Sequence, residues 1–251
     1  MNSAPTRNSL SGLGYARSLR HVLRWVLWML GFGAASTPIF AEASREYILI
    51  SGGVSLDKWE RYKQQPHDRW AMNFIRAARI RIQQIRAADP AAQITWLVYR
   101  PAYERRGEED KKDLLALVDS VKDAYKLNRR FFSSGSEVVE YINRGKNRLK
   151  VKVCDFEYFG HSNKACWMFD YSNFIDSSSK AWLHEDELSE LRGDAFAPDC
   201  HVKSWGCHTG ESMSQRFFQA TGIRMWGAVG KTQYRTEELP AISTRWGRWK
   251  R

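Results

Sequence analysis

Phe156-Glu157-Tyr158-Phe159-Gly160-His161-Ser162 and Val202-Lys203-Ser204-Trp205-Gly206-Cys207-His208-Thr209-Gly210 are built alike. Each is an apolar-rich run of strand length that ends in glycine and then a reactive side chain. That side chain is His161 in the first run and Cys207, 46 residues later, in the second. Runs of this kind are what the buried strands of a parallel sheet look like. Two such strands side by side would present a base and a nucleophile together at their carboxyl ends. A thiol needs that neighbour, because the thiolate is the nucleophile and a free cysteine is largely protonated at neutral pH.

Outward from these runs, strand and helix signals alternate. Residues 47–51 are a short apolar run closed by Gly52-Gly53 and predict a central strand. Over residues 68–88, Trp70, Phe74, Ala78, Ile82 and Ile85 fall at helical spacing, with arginines on the other face and Pro90 just beyond. A second strand is expected at 94–99, stopped by Pro101, then a charged loop at 104–112 and a helix at 114–125. Phe131-Phe132 suggests a brief strand, and Ser136 is expected to cap a helix that runs past Ile142 and ends at Gly145. The strand at 149–159 delivers His161. A loop rich in Asp, Ser and Asn follows, then a short helix at 185–191. The strand at 201–205 delivers Cys207, with a helix at 211–220 and a last strand at 223–229 behind it. Strands alternating with helices predict an α/β fold: three layers, a mostly parallel sheet flanked by helices, with ligand sites beyond the carboxyl ends of the strands.

The chain has 251 residues, 43% of them hydrophobic and 11 of them tryptophan, enough for one globular domain with a substantial core. Residues 1–43 have the pattern of an export signal. Arg17, Arg20 and Arg24 precede an uncharged, mostly apolar run at 25–35, and Ala41-Glu42-Ala43 supplies the small-x-small cleavage pattern. The expected product is a secreted or periplasmic domain, residues 44–251, with no membrane span left after cleavage. Loss of the first 43 residues lowers the net charge from +11 to +8, which favours an anionic neighbour such as an envelope surface. The positive charge is scattered except at Arg245-Trp246-Gly247-Arg248-Trp249-Lys250-Arg251, and no nucleic-acid-binding module accompanies it. That tail is expected to be a solvated or weakly adhesive terminus. With Cys207 as nucleophile, at most one disulfide can form among Cys154, Cys166 and Cys200.

Chemistry follows from the two glycine-bounded turns. Gly206 and Gly210 let the backbone bend around Cys207. A helix following directly would point its positive end at the sulfur, and backbone N–H groups of the turn could hold a tetrahedral oxyanion. His161 would take or hold the thiol proton and later protonate a leaving amine. The favoured reaction is acyl transfer through a thioester.

These residues resemble the caspase–hemoglobinase fold of cysteine peptidases, metacaspases in particular. The family pattern is an apolar strand ending in Ser/Gly-Gly-His-Gly and a second ending in Cys-His-Ser-Gly. This chain has Tyr158-Phe159-Gly160-His161-Ser162 and Cys207-His208-Thr209-Gly210. The resemblance covers most of residues 47–229 and implies a peptidase with a His161/Cys207 dyad, peptide or protein substrates, and oxyanion donors on the backbone at Ser162 and Gly206. Two positions depart from it. Ser162 replaces the glycine after the histidine, and Trp205 stands where metacaspases carry an aspartate that binds a basic P1 side chain. A preference for Arg or Lys therefore does not transfer.

The residues imply no cofactor, and calcium activation is not legible in them. Gly227-Ala228-Val229-Gly230-Lys231-Thr232 lacks the first glycine of a phosphate loop, since Met225 stands there. Cys200-His201 and Cys207-His208 do not have zinc-finger spacing. His67, His184, Asp170, Asp176, Glu185 and Asp186 are expected to be solvated. Two other functions fit the same residues: a catalytically inactive relative that binds peptides, which Ser162 favours, and a basic envelope-associated binding protein.

Overall fold

Among the described residues, seven strands form one mostly parallel sheet. The computed structural model describes residues 43–54, 71–171, 181–235 and 237–251, and within Ala43–Arg251 the chain is a single unit. The expected export segment lies outside the described residues apart from Ala43. Among the described residues no helix is long and apolar enough to cross a membrane.

Strand β1 (Ser44–Ser51) lies at the centre of the sheet, parallel to β2 (Gln93–Tyr99) on one side and β4 (Val151–Phe159) on the other. β3 (Asn128–Phe132) continues one wing. β8 (Phe196–Ser204) and β9 (Met225–Val229) continue the other, all parallel. The strand order therefore reverses at β1, and its neighbours on both sides deliver loops to the same carboxyl edge. Helices α1 (Asn73–Ala88), α2 (Arg100–Asp110) and α3 (Leu114–Tyr125) pack on one face, with Ile75, Ala78 and Ile82 of α1 against Leu49, Trp96 and Val98. Helices α4 (Gly135–Arg144) and α5 (Met213–Thr221) cover the opposite face over Ile48, Phe156, Tyr158 and Val202. This is the three-layer α/β architecture expected from the alternating signals.

At the lower edge of the sheet a charge is buried on purpose. Glu46 has no solvent exposure and accepts hydrogen bonds from Arg148 (2.5 Å), Thr95 (2.6 Å) and Tyr141 (2.8 Å). Arg148 also donates to the carbonyls of Ile142 (2.6 Å) and Tyr141 (3.0 Å), so the same guanidinium closes the end of α4. Burial opposes ionisation of Glu46, but the bonds from Thr95, Arg148 and Tyr141 outweigh it and hold the carboxyl below its ordinary value.

Several expected boundaries move, each for a local reason. The charged loop expected at 104–112 is mostly helix α2. Pro101 sits at its first turn, where its fixed φ suits a helix start, and Arg100–Glu104 (2.6 Å) and Arg106–Asp110 (2.9 Å) pair one turn apart. Ser134, rather than Ser136, caps α4 by accepting the Glu137 N–H. The short helix near 185–191 is a 3-10 turn at Glu187–Glu190. The polar loop after His161 contains a second, three-stranded sheet of β5 (His161–Ser162), β6 (Cys166–Met168) and β7 (Trp182–His184). Beyond β9 lie the two-residue strands β10 (Thr232–Gln233) and β11 (Ala241–Ile242).

The basic C-terminal tail is not simply solvated. Residues Arg248–Lys250 form β12, antiparallel to β9, and Trp249 packs edge-on against Trp205 at 5.3 Å. Asp170 is another correction. It is buried and bound by Arg105 (3.0 Å) and the Tyr99 hydroxyl (3.1 Å), which ties the segment after β6 to α2. Asp176 and His67 lie outside the described residues. All four cysteines are free thiols.

Candidate active site

The paired strands β4 and β8 bring their glycine-bounded ends together. Tyr158 and Ser204 are register partners, and the Trp205 N–H donates to Tyr158 O at 2.9 Å. Past that point the chains stay in contact. The Ser162 hydroxyl donates to Cys207 O at 2.7 Å. A Cβ at Gly206 would overlap the Ser162 Oγ and come within 2.8 Å of its Cβ and 3.1 Å of Gly160 O. Glycine at 206 is thus a steric requirement of the junction. Gly160 is fixed the same way, since a Cβ there would overlap the Tyr158 hydroxyl.

His161 is half-buried in an aromatic frame. Its ring lies edge-on to Phe74 of α1 at 4.9 Å and tilted against Tyr171 at 4.9 Å. Its backbone is held by the Tyr158 hydroxyl, which donates to His161 O (2.6 Å) and sits 3.2 Å from Met168 O. The Tyr234 hydroxyl accepts the Gly160 N–H at 2.9 Å and Tyr234 packs on Phe74 at 4.8 Å. Burial raises both phenols well above the ordinary tyrosine value, so each remains a neutral hydroxyl.

Cys207 is also half-buried, and its sulfur meets the segment after β9. The Thr232 N–H donates to Sγ at 3.4 Å, and the Thr232 hydroxyl lies 3.6 Å from Sγ while donating to Trp205 O at 2.9 Å. Next to it, His208 adopts a left-handed backbone (φ 63°), unusual for a residue with a Cβ. Its N–H donates to Gly230 O at 2.8 Å, and its ring Nδ1 meets Glu211 Oε1 at 2.6 Å. Glu211 also accepts the Gly230 N–H at 3.0 Å. Burial disfavours the Glu211 charge, yet the bonds from His208 and Gly230 outweigh it and keep the carboxyl below its ordinary value. The sequence signals this His208–Glu211–Gly230 clamp only by a histidine three residues before a glutamate.

One electrostatic expectation fails here. Residues 207–212 are turns, and α5 starts only at Met213, with the Met213 and Ser214 N–H groups donating to Lys164 O and Thr209 O, both at 2.9 Å. The helix therefore does not aim free N–H groups at the sulfur. The N–H groups of His208 and Gly210 are likewise spent on Gly230 O and Ala228 O. Ser162 is differently placed. It faces Trp167 in the β5–β6 ladder, one pair beyond the hydrogen-bonded Asn163/Cys166 pair. Antiparallel ladders alternate, so the Ser162 N–H points away from β6.

The other three cysteines are poor nucleophiles. Burial pushes the thiols of Cys154 and Cys200 up and that of Cys166 to about 11, where Glu185 and Glu187 add to the effect. A different cluster lies on the α1 side of β4 and β8. Asp155, Glu157 and His201 bring ligand-type atoms within 4.8 Å of one another. The space between the carboxylates is filled by Arg81, which bonds Asp155 (2.9 Å) and Glu157 directly. Arg81 thus already supplies the cation.

Glu157 has no solvent exposure, and burial, then Asp155, pushes its carboxyl up to about 7. The folded state then holds a proton that the unfolded chain has released, so this group's stabilising share falls as pH rises from 4.5 to about 7. Glu157→Gln is expected to flatten that fall in urea midpoints measured from pH 5 to pH 8. Equal slopes in both proteins would contradict it.

No family model, curated protein or solved structure matches the chain.

Proposed function

We propose that the domain is an exported cysteine endopeptidase of caspase-like type, with Cys207 as nucleophile and His161 as general base and acid. The observation that supports this most is the junction of β4 and β8. The chain segments bearing the two reactive residues leave neighbouring parallel strands and are tied by the bond from Ser162 to Cys207 O, at 2.7 Å.

In the proposed cycle His161 removes the Cys207 proton and the thiolate attacks a peptide carbonyl carbon. The carbonyl oxygen becomes an oxyanion, for which the Ser162 N–H, turned away from β6, is the natural donor. His161 then protonates the leaving amine as the C–N bond breaks, leaving a thioester on Cys207. Water, deprotonated by His161, releases the acid and regenerates the thiol. The aromatic frame of Phe74 and Tyr171 restricts the imidazole to few orientations. Specificity for a basic P1 residue has no support at position 205: Trp205 is stacked on Phe159 at 5.9 Å and donates to Glu157 at 2.6 Å.

One observation favours the inactive relative. The Ser162 side chain occupies the space beside Gly206 that a glycine at position 162 would leave open. Peptide cleavage that vanishes in Cys207→Ala separates the two.

A further inference from the structure

The face of the sheet under α1 is apolar along β1 and β2 but changes character at β4 and β8. There the residues facing α1 are Asp155 and Glu157, paired in register with His201 and Lys203. Arg81 of α1 joins both carboxylates, and Lys203 Nζ stands 3.5 Å from the ring centre of Trp205 and 4.2 Å from that of Trp249. Asp155 Oδ1 is buried without a hydrogen-bond partner, and His201 Nδ1 lies 3.3 Å from Asp155 Oδ2 without hydrogen-bond geometry. Apolar residues of like volume would usually serve the fold as well as such a buried ionic cluster. Its position therefore calls for another reason: it abuts Trp205, two residues before Cys207.

Trp205 is gripped on every side. Its indole N–H donates to Glu157 Oε2 at 2.6 Å, its backbone N–H to Tyr158 O at 2.9 Å, and its ring stacks on Phe159. Its carbonyl accepts the Thr232 hydroxyl at 2.9 Å, and the N–H of that same Thr232 reaches the Cys207 sulfur. Thr232 follows Gly230, whose N–H and carbonyl are both engaged by the Glu211 side chain and the His208 N–H. A continuous series of hydrogen bonds thus runs from the buried carboxylate to the thiol: Glu157, Trp205, Thr232, Cys207.

We propose that Trp205 and Thr232 are positioning residues for the nucleophile, holding the Thr232 N–H on Sγ at 3.4 Å, nearer than the Thr232 carbonyl at 3.8 Å, so that it stabilises the thiolate. This rests on the reading of Cys207 as nucleophile. A donor to the charged form of a thiol favours ionisation, and a charge-assisted bond to sulfur is stronger than one to the neutral thiol. Freed from Trp205 O, the Thr232 segment can drift by a few tenths of an ångström. The N–H···S contact, at 3.4 Å, weakens with it. Glu157 acts one step further back, by fixing the indole.

The test is the rate of iodoacetamide alkylation of Cys207 in the full chain, followed by mass spectrometry from pH 5 to pH 9. Thr232→Val keeps the backbone N–H and the side-chain shape but loses the hydroxyl. Its alkylation midpoint is expected to rise by about one pH unit, so that the rate near pH 7 drops about tenfold. Thr232→Ser should restore the wild-type profile. Trp205→Phe keeps a ring on Phe159 but removes the indole donor, and should shift the midpoint in the same direction. Combined with Thr232→Val it should add little, because the two act on one series of bonds. Melting temperatures identify variants whose effect is only structural. If Thr232→Val lowers the melting temperature but leaves the pH profile in place, the positioning role is overturned while the nucleophile reading stands. If wild-type Cys207 reacts no faster than a free thiol and His161→Ala changes nothing, both fall together.

Discussion

Gly206→Ala is expected to cost the protein about 1–3 kcal/mol of stability and to lower Cys207 reactivity about a hundredfold. The added methyl would overlap the Ser162 Oγ and press to 2.8 Å on the Ser162 Cβ. Overpacking a closed site carries a penalty of this size, and a displacement of about 1 Å at a reacting atom can cost two orders of magnitude in rate. Ser162 cannot swing aside freely, because its hydroxyl is committed to Cys207 O and the residue is buried. Gly160 O, at 3.1 Å from the added carbon, closes the other direction. The clash lies between two named side chains, so it has a specific remedy. Ser162→Gly in the same chain removes both Ser162 contacts and should recover most of the stability, short of the 0.5–1.5 kcal/mol of the lost hydroxyl bond. Urea unfolding of the two single variants and the double variant measures this coupling. Strict additivity would mean that the β4 and β8 ends do not meet as described.

Arg148→Ala is expected to have the largest effect on folding, about 3–5 kcal/mol by urea unfolding at pH 7, the usual penalty for leaving a buried charge without its partner. The substitution strands Glu46, with no exposure, and frees the Tyr141 and Ile142 carbonyls at the end of α4. Lys146, 3.2 Å from Glu46, remains as a partial substitute. The loss should also depend on pH. Glu46 is held below its ordinary value of 4.5, so its share of stability is present above that pH and disappears as pH falls through the lower folded value. The gap between wild type and Arg148→Ala should therefore narrow in acid. A gap of under 1 kcal/mol at pH 7 would mean that Lys146, Thr95 and Tyr141 satisfy Glu46 without the arginine.

The central strands were legible because burial on both faces makes them continuous apolar runs, and the two glycines were legible because each precedes a reactive residue. What escaped notice depends on tertiary partners. Pro101 ends a strand and begins α2, and only the first role shows in a local window. The segment after His161 is polar in composition yet pairs as β5–β6–β7 under cover of Trp167, which has no exposure. The basic tail conceals a strand because β12 is only Arg248–Lys250 and is defined by its pairing with β9. At the site, the sequence placed His161 and Cys207 at the ends of strands that prove to be neighbours. Thr232, 25 residues beyond Cys207, carries no signal of its own, and its hold on the sulfur follows from β9 returning beside β8. The expected helix behind Cys207 was displaced because the 207–212 turn is clamped to Ala228 and Gly230 before α5 can start.

The most direct measurement is digestion of a diverse peptide library by the protein and by its Cys207→Ala and His161→Ala variants, read by mass spectrometry with reductant present. The account predicts cuts with a consistent residue at P1 in the wild type, none in Cys207→Ala, and at most traces in His161→Ala. Cuts that persist in Cys207→Ala, or a wild type that cleaves nothing from pH 5 to pH 9 with or without calcium, would contradict it.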